Sequence, residues 1–563
     1  MQKSVGRAWL LTRNCALMAS VLRAQWTDDT YVVGARILRA LPRRFRGAVE
    51  RVSGAPGELA RALRDGAVEA TAVEGARARR RARIGLAVHD VAGARRAWES
   101  ACVGDVVLEA RLVAAEGEPG QGARLLGAVR GRRAGAVRRL LEGEAALLEP
   151  VDDVAYRQGP PWSGDGPVVH VVTNALPDVQ AGYTVRTQGI ARAQVQTGAE
   201  VVVVPRLGFP VLVGALSAPD EVDINGVRVV RHLPWSLPVR RDVRLDREVE
   251  ALEAFVRTRR PRVLHAHSSY VNARVALQVR ARTGVPVVYE VRGFLEETWR
   301  SRGGVAESPR FAQARASETQ AMLAADQVVT ISEGMAEEIR GRGVPADRVS
   351  VVPNSVDDSF LRPAEGAAEV RAALGVGDDD VMVGIVTTLN AYEGVDVLVD
   401  AVARLADGGR PVHLAVVGDG PERAALAAQA ARLLGDRAHV VGRVPHDQVR
   451  RWFAAIDVFC VPRLDLPVTA RVTPIKPLEA MATGRPVVAS DLPPLREIVR
   501  DGETGWFARP GDADDLAAVL AAAVGDPAEL ARRGAAARQW VAAERTWSRA
   551  AEVYEEVYAR ASR

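Results

Sequence analysis

The chain has few cysteines and no apolar run long enough to cross a membrane. Its only cysteines, Cys15, Cys102 and Cys460, lie far apart in 563 residues. This spacing excludes a disulfide framework and a cysteine metal centre, and it is typical of a reducing cytoplasm. The most apolar early segment, residues 9–22, is interrupted by Arg13 and is too short for a membrane span. Because no small-residue cleavage site follows it, we expect no signal peptide and a cytoplasmic protein.

Positive charge is concentrated in the first part of the chain, where almost all of it is arginine. Residues 1–150 hold 26 Lys and Arg against 16 Asp and Glu, a net charge of +10. The remainder holds 49 against 54, a net charge of −5. A basic surface of this kind favours an anionic membrane or an acidic partner, and the alternative is a solvated helical face. We carry forward peripheral contact with the inner face of the membrane as a hypothesis, and we expect no nucleic-acid partner.

The chain divides into segments of different pattern. Residues 1–150 are rich in Ala, Arg, Leu and Gly, with apolar residues at helical spacing, which predicts an all-α, solenoid-like region. Residues 151–167 have the Gly- and Pro-rich composition of a linker. Short apolar runs then alternate with helical patterns, which indicates doubly wound parallel sheets. We predict one such domain at 168–365, a second at 366–545, and a final helix at 546–563.

The predicted strands are apolar runs of three to six residues. The first series comprises residues 168–172, 200–204, 262–267, 286–291, 327–331 and 349–352. The second series comprises residues 381–386, 413–417, 438–441, 458–461 and 487–489. In doubly wound units a ligand binds at the carboxyl ends of the strands, so the loops that follow these runs are the places to look for a site.

The stretch from residue 459 to residue 491 carries the strongest local signal. It has the pattern of a strand, a loop, a short helix and another strand, with Pro477 in the first helical turn and Gly484 at the helix end. Cations around such a helix start can bind a diphosphate, and a carboxylate there can accept hydrogen bonds from sugar hydroxyls. The candidates in this stretch are Arg463, Arg471, Lys476 and Glu479.

A set of short motifs follows in a fixed order after residue 168. The set includes Gly182-Tyr-Thr-Val-Arg186, His265-Ala-His267, Tyr289-Glu-Val-Arg-Gly293, Val416-Val-Gly-Asp-Gly420 and Pro474-Ile-Lys-Pro-Leu-Glu-Ala-Met-Ala482. On these motifs, residues 168–563 resemble a retaining glycosyltransferase of family 4 (glycosyl transferases group 1). The resemblance covers about 70% of the chain and omits residues 1–150. It implies the GT-B fold, in which two Rossmann-like doubly wound domains face a cleft.

The resemblance implies donor-binding roles for residues of the second domain. Glu479 matches the second glutamate of the family's paired-glutamate motif, which accepts hydrogen bonds from the ribose of the donor. Arg471 stands where the first glutamate of that motif is expected. Thr388 and Glu393 stand where the family usually has an arginine and a lysine that bind the diphosphate, so both usual cations are absent. Glu393 is predicted either to bind the donor sugar or to cap the following helix.

Two cations of the opening stretch are candidates to replace the missing pair. We hypothesise that Arg463 and Lys476 bind the diphosphate and stabilise its charge as it leaves, which makes them catalytic candidates. The alternative is that both are solvated loop cations.

Three further candidates follow strands of the first domain. Gly182 lies where the family has a glycine that lets the backbone approach the donor, and the alternative is an ordinary loop glycine. His267 resembles the family histidine that touches the donor sugar near the reacting centre, and the alternative is a packed polar side chain. Arg292 is expected to orient the donor or the acceptor, or to form an ion pair with Glu290.

The resemblance implies a cytoplasmic enzyme that transfers a sugar from a UDP- or GDP-linked donor to an acceptor hydroxyl with retention of configuration. We expect a hexosyl or N-acetylhexosaminyl group, and a glycan or lipid-linked acceptor in surface polysaccharide or glycolipid synthesis. No Asp-x-Asp motif and no His/Cys cluster has metal-binding spacing, so we expect a metal-independent enzyme without a cofactor. Three alternatives stay open: a GT-B nucleotide-sugar epimerase, a GT-B phosphorylase, and a non-catalytic GT-B scaffold.

Overall fold

The computed structural model describes most of the chain. The residues that it does not describe are 1, 29, 32–33, 36–37, 39–48, 50–54, 66–67, 69–74, 102–103, 301–303, 306, 408–411, 446–447, 467–468 and 471–472. Among the described residues, no helix is both long enough and apolar enough to cross a membrane.

The part before the first strand is helical, as predicted. Its helices are α1 (Gln2–Asp28), α2 (Ala55–Asp65), α3 (Gly75–Val88), α4 (Val91–Ala101), α5 (Val106–Ala115), α6 (Pro119–Leu125) and α7 (Arg132–Leu148). Alanine-rich faces let α3, α4 and α5 pack closely, with Ala78, Ala94 and Leu112 fully buried. The carboxylate of Asp105 accepts a hydrogen bond from the Leu108 amide at 3.1 Å and so caps the start of α5.

The last helix of this region packs on the helices that follow it in the chain. The Leu147 carbonyl accepts a hydrogen bond from the Tyr270 hydroxyl at 3.0 Å, and the Leu148 carbonyl accepts one from Ser317 at 2.7 Å. Arg274 donates to the Glu149 carbonyl at 2.6 Å. Residues 132–149 therefore form part of the packed body, and removing them would leave buried polar groups without partners.

The first sheet has the strand order β3-β4-β2-β1-β5-β6-β7-β8. Its strands are β1 (Gly166–Val172), β2 (Val201–Pro205), β3 (Glu221–Ile224), β4 (Val227–Val230), β5 (Pro261–His267), β6 (Val287–Val291), β7 (Gln327–Thr330) and β8 (Val349–Val351). The helices around it are α8 (Gly182–Gln196), α9 (Arg241–Arg259), α10 (Tyr270–Thr283), α11 (Leu295–Arg300), α12 (Pro309–Ala324) and α13 (Glu333–Gly341). Val168 lies opposite Val201 on one side and Val263 on the other, in parallel register. The antiparallel hairpin of β3 and β4 was not predicted.

The second sheet has six strands in the order β11-β10-β9-β12-β13-β14, and every pairing that is described within it is parallel. The strands are β9 (Val381–Val386), β10 (Val412–Val417), β11 (Ala438–Gly442), β12 (Val458–Val461), β13 (Val487–Ser490) and β14 (Gly505–Ala508). The helices are α14 (Ala367–Ala373), α15 (Val395–Asp407), α16 (Arg423–Leu434), α17 (Val449–Ala455), α18 (Lys476–Ala482), α19 (Pro493–Arg496), α20 (Ala513–Gly525), α21 (Pro527–Glu544) and α22 (Trp547–Ala561).

Both faces of the second sheet are buried, which explains why its strands are continuous apolar runs. Along β12, Phe459 and Val461 join one apolar cluster, whereas Val458 and Cys460 join another. This alternation follows from the two-residue period of a strand. A parallel sheet covered on both faces by helices selects such valine-rich strands.

The chain divides into two compact units, each with most of its contacts inside the unit. The first comprises residues 1–179, 201–289 and 294–326, and the second comprises residues 180–200, 290–293 and 327–563. The domain boundaries that we drew from the sequence remain a prediction.

Candidate functional site

A cavity of about 820 Å³ lies in the second unit. This volume is within the range of small-molecule sites. Its lining comes from the loops that follow β6, β7, β9, β10 and β12, and from the first turns of α8 and α18. A parallel sheet places ligands at this edge. The charged lining residues are Arg186, Arg292, Glu393, Asp419, Arg443, Arg463, Lys476 and Glu479.

The start of α18 brings a lysine and a glutamate into the cavity. Pro477 occupies an early position of the helix, and Gly484, just beyond its end, has a positive φ of 80°, as expected for a helix C-terminus. Lys476 Nζ lies 2.7 Å from Glu479 Oε2, and it lies 5.8 Å from the centre of the Phe453 ring. Glu479 is only 4% exposed, so this carboxylate is held in a fixed position beside a cation.

A second ion pair joins the loops after β9 and β12. Arg463 Nε and Nη2 donate to the two carboxylate oxygens of Glu393 at 3.1 and 3.0 Å, and both side chains are nearly buried. Gly394 has a φ of 66°, and a Cβ on it would lie 1.9 Å from the Pro462 carbonyl oxygen. Only glycine permits this close approach, which fixes Glu393 beside Arg463. Glu393 therefore takes part in an ion pair in addition to lining the cavity.

A buried network lies behind the first turn of α8. Arg186 Nε donates to Glu290 Oε1 at 2.8 Å, and the Tyr554 hydroxyl donates to Glu290 Oε2 at 2.6 Å. Arg186 also donates to the Val352 carbonyl at 2.7 Å. Burial by itself would lower the pKa of Arg186, but Tyr554 and Glu290 outweigh this effect and raise the pKa. The network fixes α8 to the end of β6 and to the C-terminal helix α22.

Arg292 shares the same carboxylate. Its Nε donates to Glu290 Oε1 at 2.6 Å, and its Nη1 donates to the Tyr183 carbonyl and to Thr187 Oγ1 at 2.8 and 2.9 Å. Burial lowers the pKa of Arg292, and the attraction of Glu290 opposes this effect. Because two guanidinium groups share one carboxylate, this side of the cavity retains a positive charge.

Asn354 connects this network to the loop before α18. It accepts a hydrogen bond from Arg186 Nη1 at 3.2 Å, and its Nδ2 donates to the Thr473 carbonyl at 2.8 Å. The roles of Asn354 and Tyr554 could not be predicted, because their partners lie far away in the chain. Arg186 lies within a motif that we recognised, but its spacing does not reveal its contact with Glu290.

The structure brings most of the predicted donor residues together. Gly182, Arg292, Glu393, Arg463, Lys476 and Glu479 all line the cavity. A Cβ on Gly182 would meet nothing within 4 Å, so the space in front of this glycine is open. Arg471 lies outside the described residues, and its predicted role remains a prediction. Arg443 and Asp419 also line the cavity, although we did not predict them as site residues.

His267 lies in the first unit, at the end of β5, where it is 2% exposed. With His170 and His265 it forms a buried cluster whose ring nitrogens lie within 4.8 Å of one another. Sequence spacing did not indicate this cluster, because His170 comes from β1. His170 Nδ1 and His267 Nε2 are 2.8 Å apart, which is a hydrogen-bond distance. Two nitrogens on one tetrahedral zinc are separated by about 3.3 Å. The His170–His267 pair is therefore closer than two ligands of one zinc ion, whereas the three imidazoles together form a group that could hold a metal ion.

Two family models match the chain, and together they cover most strands of the two sheets. Residues 181–355 match the glycosyl transferase 4-like domain family, and residues 380–526 match the glycosyl transferases group 1 family. Together these matches cover the cavity-lining segments from α8 to β13.

Known proteins similar to this chain are glycosyltransferases. It is 31% identical over 309 residues to a D-inositol 3-phosphate glycosyltransferase of Streptomyces scabiei, which covers 53% of this chain and 67% of the relative. It is 33% identical over 261 residues to an alpha-maltose-1-phosphate synthase of Mycolicibacterium smegmatis, covering 44% of this chain and 66%, just under two thirds, of that relative.

Solved structures show the same fold. The Anabaena protein HepE, solved with UDP and glucose, superimposes with a TM-score of 0.54 at 19% identity, covering 70% of this chain and 99% of HepE. The predicted fold class is thereby confirmed: two parallel-sheet, Rossmann-like domains of the GT-B type, after a helical N-terminal region. This chain belongs to the family 4 (group 1) glycosyltransferases and has the GT-B fold.

Proposed function

We propose that this glycosyltransferase moves a hexosyl or N-acetylhexosaminyl group from a UDP-linked sugar to an acceptor hydroxyl, with retention of anomeric configuration. The observation that carries the proposal is the grouping of Glu479, Lys476 and Arg463 in one cavity at the carboxyl ends of parallel strands. UDP is proposed because HepE was solved with UDP and glucose. GDP is the alternative nucleotide.

Each cavity residue has a proposed task. Glu479 accepts hydrogen bonds from the ribose hydroxyls through the carboxylate oxygen that Lys476 does not occupy. Lys476, Arg463 and Arg292 stabilise the charge that develops on the leaving diphosphate. Gly182 leaves open space in which the donor can approach the first turn of α8, where the helix dipole favours an anion.

The chemistry requires few acid or base groups from the protein. In the proposed reaction, the acceptor hydroxyl attacks the face that the diphosphate leaves, and the departing phosphate receives the proton. Positioning of the two substrates and electrostatic stabilisation then supply most of the rate. The cationic side chains perform the neutralisation that a metal ion performs in other transferases, so we propose that activity persists in the presence of a chelator.

A nucleotide-sugar screen tests this proposal. UDP-glucose, UDP-N-acetylglucosamine and GDP-mannose are incubated with the protein, with and without EDTA, and release of the nucleoside diphosphate and thermal stabilisation are measured. We expect one donor to be hydrolysed slowly or transferred, and NMR of the product to show the anomeric configuration of the donor. Glu479→Ala should abolish donor stabilisation. Glu503→Ala, which removes an exposed glutamate of the same unit, is the matched control and should not.

The alternative activities give different products in the same screen. An epimerase releases a free or epimerised sugar without any acceptor, and a phosphorylase requires inorganic phosphate. A non-catalytic scaffold binds a nucleotide sugar without turnover. Inversion of configuration in the product would refute the retaining mechanism while leaving transferase activity intact.

The acceptor and the location of the protein are further parts of the proposal. We propose a cytoplasmic enzyme that acts on a glycan or lipid-linked acceptor, with the arginine-rich N-terminal region touching the inner face of the membrane. Deletion of residues 1–150 is an unsuitable test, because α7 is packed into the first unit. The better test is co-sedimentation with anionic and with neutral vesicles. It is measured before and after exposed arginines of this region, such as Arg79 and Arg133, are replaced by glutamine.

A further inference from the structure

A second polar cluster lies in the first unit, where three neighbouring strands end. β2, β1 and β5 are adjacent in the sheet, and the residues that follow them are Arg206, Thr173 and the pair Ser268–Ser269. These residues are partly exposed, in contrast to the buried strands that precede them. The carboxyl edge of a parallel sheet is where open α/β folds bind ligands.

Arg206 is the charged group of this cluster. Its Nε donates to Asn272 Oδ1 at 2.8 Å, and its Nη2 donates to Ser269 Oγ at 3.3 Å. Both partners are neutral, and within the described chain Arg206 forms no ion pair. A largely desolvated guanidinium is normally paired with an anion, so the protein leaves this charge without a direct counter-ion.

The charges around Arg206 leave the cluster positive. Burial lowers the pKa of Arg206, Glu248 opposes this effect, and Arg241 adds to it. Glu248 accepts a hydrogen bond from the Leu207 amide and is the carboxylate that acts on Arg206 most strongly. Burial raises the pKa of Glu248, whereas Arg206 lowers it. Arg206 therefore has one carboxylate, Glu248, and a second guanidinium, Arg241, among the charges that act on it.

The neutral partners of Arg206 are themselves held in place. Asn272 Nδ2 donates to Thr173 Oγ1 at 3.0 Å and to the His267 carbonyl at 2.7 Å. The Asn272 carbonyl oxygen must therefore face Arg206, which fixes the plane of the guanidinium. Nη1 takes part in neither of the two Arg206 bonds. A fixed guanidinium beside hydroxyl groups is a preorganised arrangement for a phosphate.

We propose that Arg206, Ser269 and Thr173 bind the phosphate group of a phosphorylated sugar or polyol acceptor. We name this cluster, with Asn272, the strand-end anion site. The inference rests on the proposed function, because it assigns the acceptor to the first unit. A phosphate suits the site better than a carboxylate does, because its additional oxygen can use the hydroxyl donors as well as the guanidinium.

The binding experiment needs no donor. Isothermal titration at low salt measures glucose 6-phosphate, inorganic phosphate, glucuronate and glucose against the wild-type chain, Arg206→Gln and Arg206→Lys. We expect glucose 6-phosphate to bind the wild type more tightly than glucuronate or glucose. Arg206→Gln should weaken the binding of glucose 6-phosphate by about tenfold or more, because it removes a charge-assisted hydrogen bond. Arg206→Lys should recover part of the lost affinity.

A matched variant separates the site from general charge effects. Arg228→Gln removes a partly exposed arginine of the same unit that pairs with Glu221, and it should leave phosphate binding unchanged. Phosphate bound in the cavity of the second unit would be insensitive to Arg206→Gln. Equal affinity of the wild type and Arg206→Gln for glucose 6-phosphate, or no binding by the wild type at millimolar concentration, overturns the proposal.

Two further outcomes have distinct meanings. If Arg206 has only a structural role, Arg206→Gln should lower the melting temperature and weaken the binding of glucose and of glucose 6-phosphate equally. That result also overturns the proposal. Because binding is measured without donor, a failure of sugar transfer would refute the proposed function and leave the phosphate result standing. In a transfer assay, Arg206→Gln should raise the KM for a phosphorylated acceptor more than it lowers kcat.

Discussion

Replacing Lys476 by methionine removes one charge from the cavity with little change in side-chain volume. Lys476 Nζ lies 2.7 Å from Glu479 Oε2, and the side chain lies over the Phe453 ring. Methionine retains a flexible apolar stem for this packing and has a similar helix propensity. The measured effect therefore reports mainly the loss of the ammonium group.

The variant should change stability and donor binding by different amounts. Without ligand, Glu479 loses its cation, but the Lys476 side chain is 37% exposed, so solvent screens the pair. We expect the free energy of unfolding to fall by about 1–2 kcal/mol, less than the 3–5 kcal/mol of a fully buried pair. If Lys476 binds the diphosphate, its loss costs about 1.5–3 kcal/mol of binding free energy, or a factor of about 10–150 in Kd.

The change in Kd is measured by calorimetric titration with UDP and with the nucleotide sugar that the enzyme uses as donor. Turnover is measured by steady-state kinetics. Arg404→Met is the matched control, because Arg404 is 45% exposed and pairs with the exposed Asp514 outside the cavity. It should change Kd by less than about twofold. A Lys476→Met variant with wild-type Kd and turnover would refute the role of Lys476 in diphosphate binding.

Chemical labelling provides a second measure of the same contact. The chain contains only two lysines, Lys3 and Lys476, so acylation of Lys476 can be followed by mass spectrometry with Lys3 as an internal reference. Bound donor should slow acylation of Lys476 and leave Lys3 unaffected. Equal rates with and without saturating donor would contradict the proposed contact.

Three other predictions follow from described contacts. Arg463→Gln and Glu393→Gln should each destabilise the fold by up to about 3–5 kcal/mol, because each strands a nearly buried charge, and the double variant should cost less than their sum in denaturant unfolding. Tyr554→Phe should lower the free energy of unfolding by about 1.5–3 kcal/mol, because its hydroxyl donates to the charged Glu290. Tyr558→Phe, whose hydroxyl accepts a hydrogen bond from the neutral amide of Gln194, should cost about 0.5–1.5 kcal/mol. Burial lowers the pKa values of His413 and His439, which disfavours their protonated forms in the folded state. The melting temperature should therefore fall as pH drops below about 6.5, the unfolded pKa, and His439→Asn should reduce this dependence.

Much of the fold could be predicted because its strands are buried on both faces. Runs such as 381–386 and 458–461 are apolar throughout, and the structure confirms them as strands. The strands that we missed, β3, β4 and β14, are short and partly exposed, so their sequences lack that signal. For a short exposed strand, pairing with its neighbour decides the structure, and local sequence does not record the neighbour.

Several residues that line the cavity could be predicted from the sequence, but their partners could not. The motif order placed Glu479, Lys476, Arg463 and Glu393 in one site, and all four line the cavity. Sequence could not show that Arg463 already has a carboxylate partner, because the Arg463–Glu393 contact joins residues 70 positions apart. The Lys476–Glu479 pair, by contrast, joins residues three apart on one helix, which is a spacing that sequence can reveal. In the same way, the Tyr554–Glu290 bond depends on the return of the C-terminal helix, 264 residues later.

This pairing changes where the cavity can neutralise an anion. Lys476 and Arg463 are each balanced by one carboxylate, so as pairs they carry no net charge. The unbalanced positive charge lies where Arg186 and Arg292 share Glu290. Arg443 and Asp419 also line the cavity and carry opposite charges. Under the proposed function, we therefore expect the Arg292 side of the cavity to attract the diphosphate. Lys476 and Arg463 can bind the diphosphate only through the N–H groups that do not already donate to Glu479 and Glu393. Under the proposed function, Glu393 stands where the resemblance implies a lysine, and it holds Arg463 as a cation at the edge of the same cavity.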